Sequence, residues 1–413
     1  MPDASKRGPR GLVRFFGLQR SIVGLLAMVI LVGMGEHMAE QFLPIYLMAL
    51  GGGAISIGFL NGLDNLLSAL YSFPGGYLAD RFGTKRALLL FNLMAITGYL
   101  IVILVPAWQA VFIGAFFFLS WTAISLPATM GLVAKVLPKN KRTMGVSMHS
   151  LVRRIPMAVG PIIGGAFIGI WGVQTGVRLA FAGAALVALV AMVMQQALIE
   201  DDRPEPGAKT GAPVRLDARA LFRRMSPSLR NLLVADVLIR FCEQIPYAFV
   251  VVWAMKTIAS PVTAVQFGFL RTVEMATAIL VYVPVAYFAD KSGKKPFVVM
   301  TFIFFTLFPL MLIISQSFWM LFAAFVLRGL KEFGEPTRKA LIMDLAPEDR
   351  KAGMFGLYYL IRDVIVSVAA FSAGFLWNVS PRTNFLAAFA FGVLGTIWFA
   401  LRGKDLTAEP AKA

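Results

Sequence analysis

The sequence Gly-Tyr-Leu-Ala-Asp-Arg-Phe-Gly-Thr-Lys-Arg at residues 76–86 has a counterpart, Ala-Tyr-Phe-Ala-Asp-Lys-Ser-Gly-Lys-Lys-Pro, at residues 286–296. Each copy is a short polar segment that joins two apolar stretches. The match extends outward from both copies, so that Pro74 upstream of the first corresponds to Pro284 upstream of the second. The chain therefore consists of two halves built on the same plan.

Apolar residues dominate both halves. The 413 residues are 58% hydrophobic and only 15% charged, against roughly 45 to 50% and 25% in soluble domains. Stretches of about 20 apolar residues can cross a bilayer. Twelve such stretches lie at 21–50, 54–78, 87–105, 109–137, 144–172, 179–199, 231–255, 262–289, 296–315, 318–345, 354–377 and 385–401. Because backbone polar groups need partners within lipid, we expect an all-α membrane protein with twelve transmembrane helices in two pseudo-symmetric six-helix bundles.

The polar segments divide the chain into five parts. We expect an N-terminal tail at 1–20, a first bundle at 21–199, a linker at 200–230, a second bundle at 231–401 and a C-terminal tail at 402–413. The linker is rich in proline, glycine and charge, which is typical of an irregular connection. An even number of spans places both tails and the linker on the same side of the membrane.

The basic residues indicate which side that is. If the tails are cytoplasmic, only three of the 39 Lys and Arg residues, Arg178, Lys256 and Arg382, lie in loops on the opposite face. This asymmetry follows the positive-inside rule. It accounts for the net charge of +17 through topology and anionic lipid, without a nucleic-acid partner. We expect a monomeric, multi-pass protein of the cell inner (plasma) membrane with both termini cytoplasmic.

The repeated loop resembles the signature G-x-L-x-D-R-x-G-x-K/R-R/K of the major facilitator superfamily, and the resemblance covers essentially the whole chain. The second copy departs from it at Ala286. The resemblance implies transport by alternating access, with the loops as cytoplasmic gates, because a carboxylate can bind exposed N–H groups at a helix N-terminus. A tight glycine turn with cytoplasmic charges explains Gly83 and Lys85 equally well. The gating residues implied are Gly76, Asp80, Arg81, Gly83 and Lys85 in the first loop, Asp290 and Gly293 in the second, and Arg153, Arg362 and Asp363 in the fifth and eleventh stretches.

Charged residues inside the apolar stretches are balanced in sign. Each costs roughly 2.5 to 3.5 kcal/mol at the bilayer centre when unpaired, so they must pair or face water. The third, sixth, ninth and twelfth stretches carry none, and we expect those four to face lipid. The charged stretches, which are the first, second, fifth, seventh, eighth, tenth and eleventh, should surround an aqueous cavity. The fourth stretch is an exception, because it carries no charge either. The basic ones are Arg153, Arg154, Arg240, Arg271, Arg328, Lys331, Arg338, Lys339 and Arg362, and the acidic ones are Glu36, Glu40, Asp64, Asp236, Glu243, Glu274, Glu332, Glu335 and Asp363.

The tenth stretch has a charged face. Arg328, Lys331, Glu332 and Glu335 fall at i, i+3, i+4 and i+7, which is one side of a helix. The spacing predicts pairing of Arg328 with Glu332 and of Lys331 with Glu335. In the seventh stretch, Asp236, Arg240 and Glu243 repeat the spacing. The candidate substrate-cavity residues are His37, Arg240, Glu243, Arg328, Lys331, Glu332 and Glu335.

The first stretch carries two acids, Glu36 and Glu40, and no base. Two close carboxylates in a low dielectric cannot both ionise cheaply, so one should hold a proton. This predicts proton coupling through Glu36 and Glu40, with Asp64 as a further candidate. The alternatives are static pairing with Arg or Lys of another helix, direct substrate binding, and a divalent-metal substrate bound by residues such as His37 and Cys242.

No nucleotide-binding loop of the G-x-x-x-x-G-K-[ST] type is present, and no hydrolytic or redox constellation stands out, so we expect no enzyme, no cofactor and no resident metal. Energy must then come from a gradient. The segment Gly160-Pro161-Ile-Ile-Gly164-Gly165 resembles part of the antiporter motif of the superfamily, although Pro156 and Ser147 replace its glycines. Small-residue helix packing explains it without a transport direction.

These patterns predict proton-coupled efflux of a small organic solute, similar to the drug/proton antiporters of the superfamily. Proton-coupled uptake of an anionic or zwitterionic metabolite is the alternative that the internal Arg and Lys residues favour. Divalent-metal transport and a non-transporting receptor of the same fold are further alternatives.

We predict that a cysteine introduced at Ala208, in a chain with Cys242 replaced by alanine, reacts with a membrane-impermeant maleimide only from the cytoplasmic side. The reason is that the basic linker is retained inside. Labelling is compared between right-side-out and inverted membrane vesicles. Labelling of position 208 from outside would contradict the topology.

Overall fold

A computed structural model describes residues 20–119, 121–136, 152–200, 218–292, 294–347 and 351–404. Every regular element within these ranges is a helix, which confirms the all-α prediction. Nine segments in the described ranges are long and apolar enough to cross a membrane. The count of twelve transmembrane helices stays a prediction. The tails at 1–19 and 405–413 and the linker at 201–217 lie outside the described residues.

The first half contains seven helices in the described residues. Gly83, with φ of 83°, turns the chain between the third and the fourth, a backbone conformation that glycine adopts without strain. Gly172, with φ of 75°, kinks the seventh where the predicted fifth stretch ends. The helices are α1 (Arg20–Glu40), α2 (Leu43–Ala49), α3 (Ala54–Phe82), α4 (Thr84–Leu104), α5 (Trp108–Phe118), α6 (Trp121–Val136) and α7 (Arg154–Leu198).

The described residues of the second half are also helical, and a π-helical turn and a 3₁₀ turn interrupt the helices. Two of its helices begin with a serine cap followed by proline, where the missing N–H of proline costs nothing: the Ser226 hydroxyl accepts from Leu229 N and the Ser380 hydroxyl from Thr383 N. The helices are α8 (Ala218–Arg223), α9 (Pro227–Tyr247), α10 (Val250–Val252), a π-helical turn (Trp253–Thr257), α11 (Ala264–Ser292), α12 (Lys295–Ile314), α13 (Phe318–Leu330), a 3₁₀ turn (Lys331–Gly334), α14 (Glu335–Leu345), α15 (Lys351–Val379) and α16 (Pro381–Arg402).

The chain forms two compact units. Unit 1 comprises Met1–Phe42 and Leu70–Ala212, and unit 2 comprises Leu43–Ala69 and Pro213–Ala413. The boundary at residues 212 and 213 falls within the predicted linker. The segment 43–69, which belongs to the first half of the sequence, packs in unit 2. The division into bundles at 21–199 and 231–401 rests on the sequence repeat and stays a prediction.

In unit 1, α1 lies directly against α7. A Cβ added at Gly160 would lie 2.9 Å from His37 Cβ, and one added at Gly164 would collide with the Met38 carbonyl oxygen. Across the Gly172 kink, Gly35 approaches Ala184 equally closely. Small residues permit this backbone approach, so the glycines of the 160–165 segment place the end of α1 that carries Glu36 and His37.

A buried chain of hydrogen bonds crosses unit 1. Trp121 Nε1 donates to Asn92 Oδ1 at 3.0 Å, Asn92 Nδ2 donates to Gln195 Oε1 at 2.7 Å, and Gln195 Nε2 donates to the Lys85 carbonyl at 2.8 Å. Asn92 and Gln195 are fully buried. The third and sixth stretches, expected to face lipid, therefore each have a polar residue that faces the protein interior and holds Trp121.

In unit 2, the segment 43–69 contacts helices of the second half. Asn61 Nδ2 donates to the Gln244 carbonyl at 3.0 Å, and Asn65 Nδ2 donates to Gln244 Oε1 at 3.2 Å. Gly58 and Gly374 lie backbone to backbone. A separate hydrophobic cluster joins α9, α12, α14, α15 and α16 through residues such as Leu232, Phe302, Ile342, Tyr358 and Phe399. This framework holds the charged residues described next.

We predict opposite effects for two glycine-to-alanine substitutions. Gly164→Ala should lower the apparent melting temperature in detergent, because the added methyl group overlaps the Met38 carbonyl and overpacking costs roughly 1 to 3 kcal/mol. Gly356→Ala, in α15, meets no atom within 4 Å and should be neutral or stabilising by up to about 1 kcal/mol. Equal melting temperatures for Gly164→Ala and the parent protein would contradict the packing of α1 on α7.

Candidate functional site

Unit 1 contains a partly open cavity, which we call cavity 1; its empty space of about 340 Å³ includes space open to solvent. Glu36 is its acidic residue and is only 6% exposed. Arg153, directly before α7, lines the same cavity and supplies a positive charge. The other polar residues of the lining are His37, Trp121, Ser125 and Thr129.

Two features already described position these groups. The close packing of α1 on α7 sets Glu36 and His37 at the cavity wall, and the Asn92 hydrogen bond orients the Trp121 indole. Glu40 follows one turn later as the last residue of α1, as the spacing predicts. Glu36 and Glu40 both interact with neighbouring groups. Cavity 1 thus combines a buried carboxylate and an imidazole, which can bind and release protons, with hydroxyl groups and a guanidinium that can donate hydrogen bonds.

Unit 2 contains a second partly open cavity, which we call cavity 2; its empty space of about 290 Å³ includes space open to solvent. Its charged lining consists of Glu243, Arg328 and Lys331. Lys331 Nζ lies 2.6 Å from Glu243 Oε1, and Arg240 Nη1 lies 2.5 Å from Glu243 Oε2. Its aromatic lining consists of Tyr247, Phe304, Phe305 and Phe308.

The pairing predicted within the tenth stretch is wrong. Arg328 contacts Glu274 of α11, with Nε 3.2 Å from Oε1, and Lys331 contacts Glu243 of α9 as well as Glu274, the latter at 3.7 Å. The physical reason is local winding: residues 331–334 form a 3₁₀ turn, which changes the angular spacing that an α-helix would give. Carboxylates on neighbouring helices then lie closer than those one turn away.

Glu274 is the centre of this arrangement. Its carboxylate contacts Arg271 on its own helix in addition to Arg328 and Lys331. Its side chain is 1% exposed. Because three cations share one carboxylate, removal of Glu274 would leave several buried positive charges close together.

Asp236 lies two turns before Glu243 on α9 and forms a second cluster. It accepts hydrogen bonds from Arg338, from Tyr358 Oη at 3.0 Å and from Arg362 Nη1 at 3.5 Å. Glu335 Oε1 lies 2.6 Å from Arg338 Nη2. Arg240, which contacts both Glu335 at 3.4 Å and Glu243, connects the two clusters.

Some predicted gating residues are described and others are not. Lys85 Nζ donates to the Gln196 carbonyl at 2.7 Å, and Arg81 donates to Tyr77 Oη at 3.2 Å. Arg362 Nε donates to Asp363 Oδ1 at 2.7 Å. The residues whose surroundings lie outside the described part of the chain are Gly76, Asp80, Asp290 and Gly293.

Of the remaining candidates, Asp64 and Glu332 lie outside both cavity linings, whereas Cys242 lines cavity 2. Asp64 is half-buried on α3, and Glu332 is half-buried in the 3₁₀ turn; each has an interaction partner. Cys242 is buried and donates to the Phe305 carbonyl at 3.3 Å. Within the described residues, no three His, Cys, Asp or Glu side chains are grouped closely enough to hold a metal ion.

Several lining residues were not predicted as site residues. Ser125 and Thr129 lie four residues apart in α6, so they share one helix face, and this spacing could have marked an uncharged polar stripe. Phe305 and Phe308 lie three apart in α12. Their signal is weak because phenylalanine is as common at lipid-facing positions as in cavities.

Comparisons with known proteins are consistent with this architecture. The family model described as Major Facilitator Superfamily matches residues 25–257 and 232–413. An uncharacterized MFS-type transporter of Methanocaldococcus jannaschii is 21% identical over 374 residues, which cover 86% of this chain and 87% of the relative.

Solved structures share the fold at low identity. A variant of the nucleoside transporter NupG has a TM-score of 0.78 and 14% identity, with 93% of this chain and 100% of that chain covered. The peptide transporter POT in complex with sulfate has a TM-score of 0.73 and 14% identity, with 96% of each chain covered. The chain belongs to the major facilitator superfamily, and it is a membrane secondary transporter and not an enzyme.

Proposed function

We propose that this transporter is coupled to protons and that Glu36 carries the proton, with Glu40 one turn away as its partner. The observation that carries this proposal is the position of Glu36, which is 94% removed from solvent and yet lines cavity 1. A carboxylate in such a place gains and loses its charge at an energetic cost that its surroundings control. A change in those surroundings during transport would therefore take up or release a proton.

The acids of unit 2 are less suited to this role. Glu243 contacts two cations, Arg240 and Lys331, and Glu274 contacts three. Protonation of either would leave buried cations uncompensated, a loss that costs several kcal/mol. Their charges hold the Arg and Lys side chains in place. Asp64 is the next candidate for a coupling role.

The transported molecule is proposed to be a small organic solute, and two observations favour opposite directions. The segment 160–165 resembles an antiporter motif and favours efflux in exchange for protons, although Gly160 and Gly164 are also required for packing against α1. The cations of cavity 2 favour uptake of an anionic or zwitterionic metabolite. The solved neighbours are transporters of peptides and of nucleosides, which are small organic solutes.

The setting of the transporter is proposed from the sequence. We place a monomer in the cell inner membrane with both termini in the cytoplasm, on the distribution of Lys and Arg. Gating is assigned to the two repeated loops through Asp80 and Asp290 and to the ion pair of Arg362 with Asp363. The tight turn at Gly83 and the hydrogen bond from Lys85 to the end of α7 support a defined conformation for the first loop.

We predict that Glu36→Gln and Glu40→Gln each reduce accumulation driven by a pH gradient by at least about tenfold, while ligand binding and downhill exchange are largely retained. The amide keeps the shape of the side chain but cannot release a proton. For these assays, the solute is chosen as the compound that most raises the melting temperature of the protein in a thermal-shift screen. Its flux is then measured in proteoliposomes with and without an imposed pH gradient.

Glu200→Gln is the matched control, since Glu200 is exposed at the end of α7 and its substitution should leave coupling unchanged. If both variants in α1 accumulate solute with the pH dependence of the parent protein, the proton site lies elsewhere. Loss of folding in both would indicate static ion pairing. The direction of the gradient that drives accumulation distinguishes efflux from uptake.

We also predict that Glu335→Gln impairs transport and lowers the apparent melting temperature. Glu335 contacts Arg338 and Arg240, and removal of one partner of a buried pair costs roughly 3 to 5 kcal/mol when it is fully desolvated. Leu386→Ala in α16 is the control, because that side chain is 50% exposed and carries no charge. Unchanged flux and stability for Glu335→Gln would count against its place in the ion network.

A further inference from the structure

Helix α8 is short, but it is anchored firmly to unit 2. Leu221 within the helix and Met225 just after it are 3% and 2% exposed, and both belong to the hydrophobic cluster that also contains Leu229 of α9. The Ser226 hydroxyl between the two helices donates to the Leu345 carbonyl at 3.2 Å. Helix α8 therefore has a defined position at the end of unit 2 where α9 begins.

The last two residues of α8 are exposed, and one is aromatic and the other basic. Phe222 is 41% exposed, and Arg223 beside it is exposed as well. Arg230 of α9 holds them in place: its Nη2 donates to the Phe222 carbonyl at 3.2 Å and to the Arg223 carbonyl at 3.3 Å. The Arg230 guanidinium carbon lies 5.3 Å from the Phe222 ring centre. An exposed guanidinium thus lies over an exposed ring.

The end of α16 repeats this arrangement. The exposed Arg402 guanidinium carbon lies 5.5 Å from the ring centre of Trp398, which is 36% exposed. Leu401, also exposed, adds apolar surface beside them. Asn231, the neighbour of Arg230 in the sequence, donates from Nδ2 to the Arg402 carbonyl at 3.5 Å. The two pairs of arginine and aromatic ring therefore lie at the same end of unit 2.

We call the exposed side chains of this end the basic-aromatic patch, which consists of Phe222, Arg223, Arg230, Trp398, Arg402 and Lys404. Its four cations form no ion pair within the part of the chain that the structure describes. Cations alone suit any anion, but the exposed rings also favour an apolar partner. The segments Pro227–Thr257 and Pro381–Arg402 are long and apolar enough to cross a membrane. The patch lies where the first begins and the second ends, at the level of lipid headgroups, where tryptophan is enriched and basic side chains meet the polar surface.

We propose that the basic-aromatic patch binds an anionic phospholipid, with the headgroup phosphate at Arg223 and Arg402 and the acyl chains against Trp398 and Leu401. Basic groups next to a membrane helix attract anionic headgroups, and the planar guanidinium fork matches the oxygens of a phosphate. The inference goes beyond the proposed function, because the lipid is neither the transported solute nor the coupling ion.

The test is equilibrium binding of lipid to the purified full-length protein in a neutral detergent, measured by native mass spectrometry. The probe is dioleoyl phosphatidylglycerol, and phosphatidylcholine with the same acyl chains is the zwitterionic control. Phosphatidylglycerol should bind at least about tenfold more tightly, because several exposed cations attract its net negative charge. Added salt should reduce this preference, since it screens exposed charges.

Double variants assign the effect to the patch. Arg223→Gln/Arg402→Gln removes one cation beside each ring and should weaken phosphatidylglycerol binding about tenfold or more, with phosphatidylcholine binding unchanged. Arg223→Lys/Arg402→Lys keeps both charges and should lose less. Lys256→Gln/Arg382→Gln is the matched control, because it removes two exposed cations of unit 2 that lie outside the patch. It should leave phosphatidylglycerol binding unchanged.

Equal affinity for the two lipids, or an equal loss of phosphatidylglycerol binding in the patch variant and its matched control, would overturn the inference. Inorganic phosphate and a glutamate hexapeptide serve as soluble anions. If either binds as tightly as phosphatidylglycerol, the patch belongs to a soluble partner and the lipid assignment is wrong. If the glutamine variant of the patch does not fold, the salt titration of the parent protein decides, because binding of phosphatidylglycerol that is insensitive to salt would also exclude this site.

Discussion

The cost of a charge away from water is the constraint on which the rest of this structure depends. Helices that are long and apolar enough to cross a membrane nevertheless carry many ionisable side chains, and lipid offers no compensation for them. In unit 2 the compensation comes from other helices: α9, α11, α13, α14 and α15 each contribute charged groups to one connected network. The network therefore fixes the relative positions of these helices as well as the chemistry of cavity 2. The carboxylate of Glu274, which contacts three cations, therefore holds neighbouring helices together as well as balancing their charge.

The described residues of unit 1 also include ionisable groups, among them Glu36, Glu40 and Arg153. Its described interior contains Glu36 and Arg153 at cavity 1, together with neutral polar groups that satisfy one another in a chain from Trp121 to Lys85. Close helix packing positions Glu36 in this unit, because Gly160 and Gly164 of α7 allow α1 to approach closely at His37 and Met38. The carboxylate of Glu36 thus lies on a wall that is rigid on one side and open to a cavity on the other. In the proposed function, this position at a cavity wall is what lets the charge of Glu36 change during transport.

In the proposed function, the buried groups of the two units have different roles. Opposite charges in direct contact resist a change in protonation, because loss of one charge exposes the other. They can still exchange partners, and an anionic solute would compete with Glu243 and Glu274 for the same cations. In the proposed function, solute recognition by unit 2 and proton uptake by unit 1 use these two behaviours separately. Such a separation lets the selectivity for the solute and the response to the proton gradient be altered by different substitutions.

The sequence by itself determined the fold class, the family and most of the buried charges, although Lys339, which it placed within the tenth stretch, is 52% exposed. These follow from apolar length, the repeated loop and the absence of charges from every third stretch, all of which are properties of one helix or one loop at a time. The spacing within α9 also correctly predicted contacts of Arg240 with Asp236 and Glu243. Only the tertiary structure decided which charges pair across helices. The sequence predicted pairs of Arg328 with Glu332 and of Lys331 with Glu335, but the 3₁₀ turn and the approach of α9 and α11 gave these cations other partners. Likewise, nothing in the local pattern showed that Asn92 and Gln195 turn inward to hold Trp121, or that Phe305 and Phe308 line a cavity. Periodicity specifies which residues share a face, whereas the partner of that face depends on the packing of elements far apart in the chain.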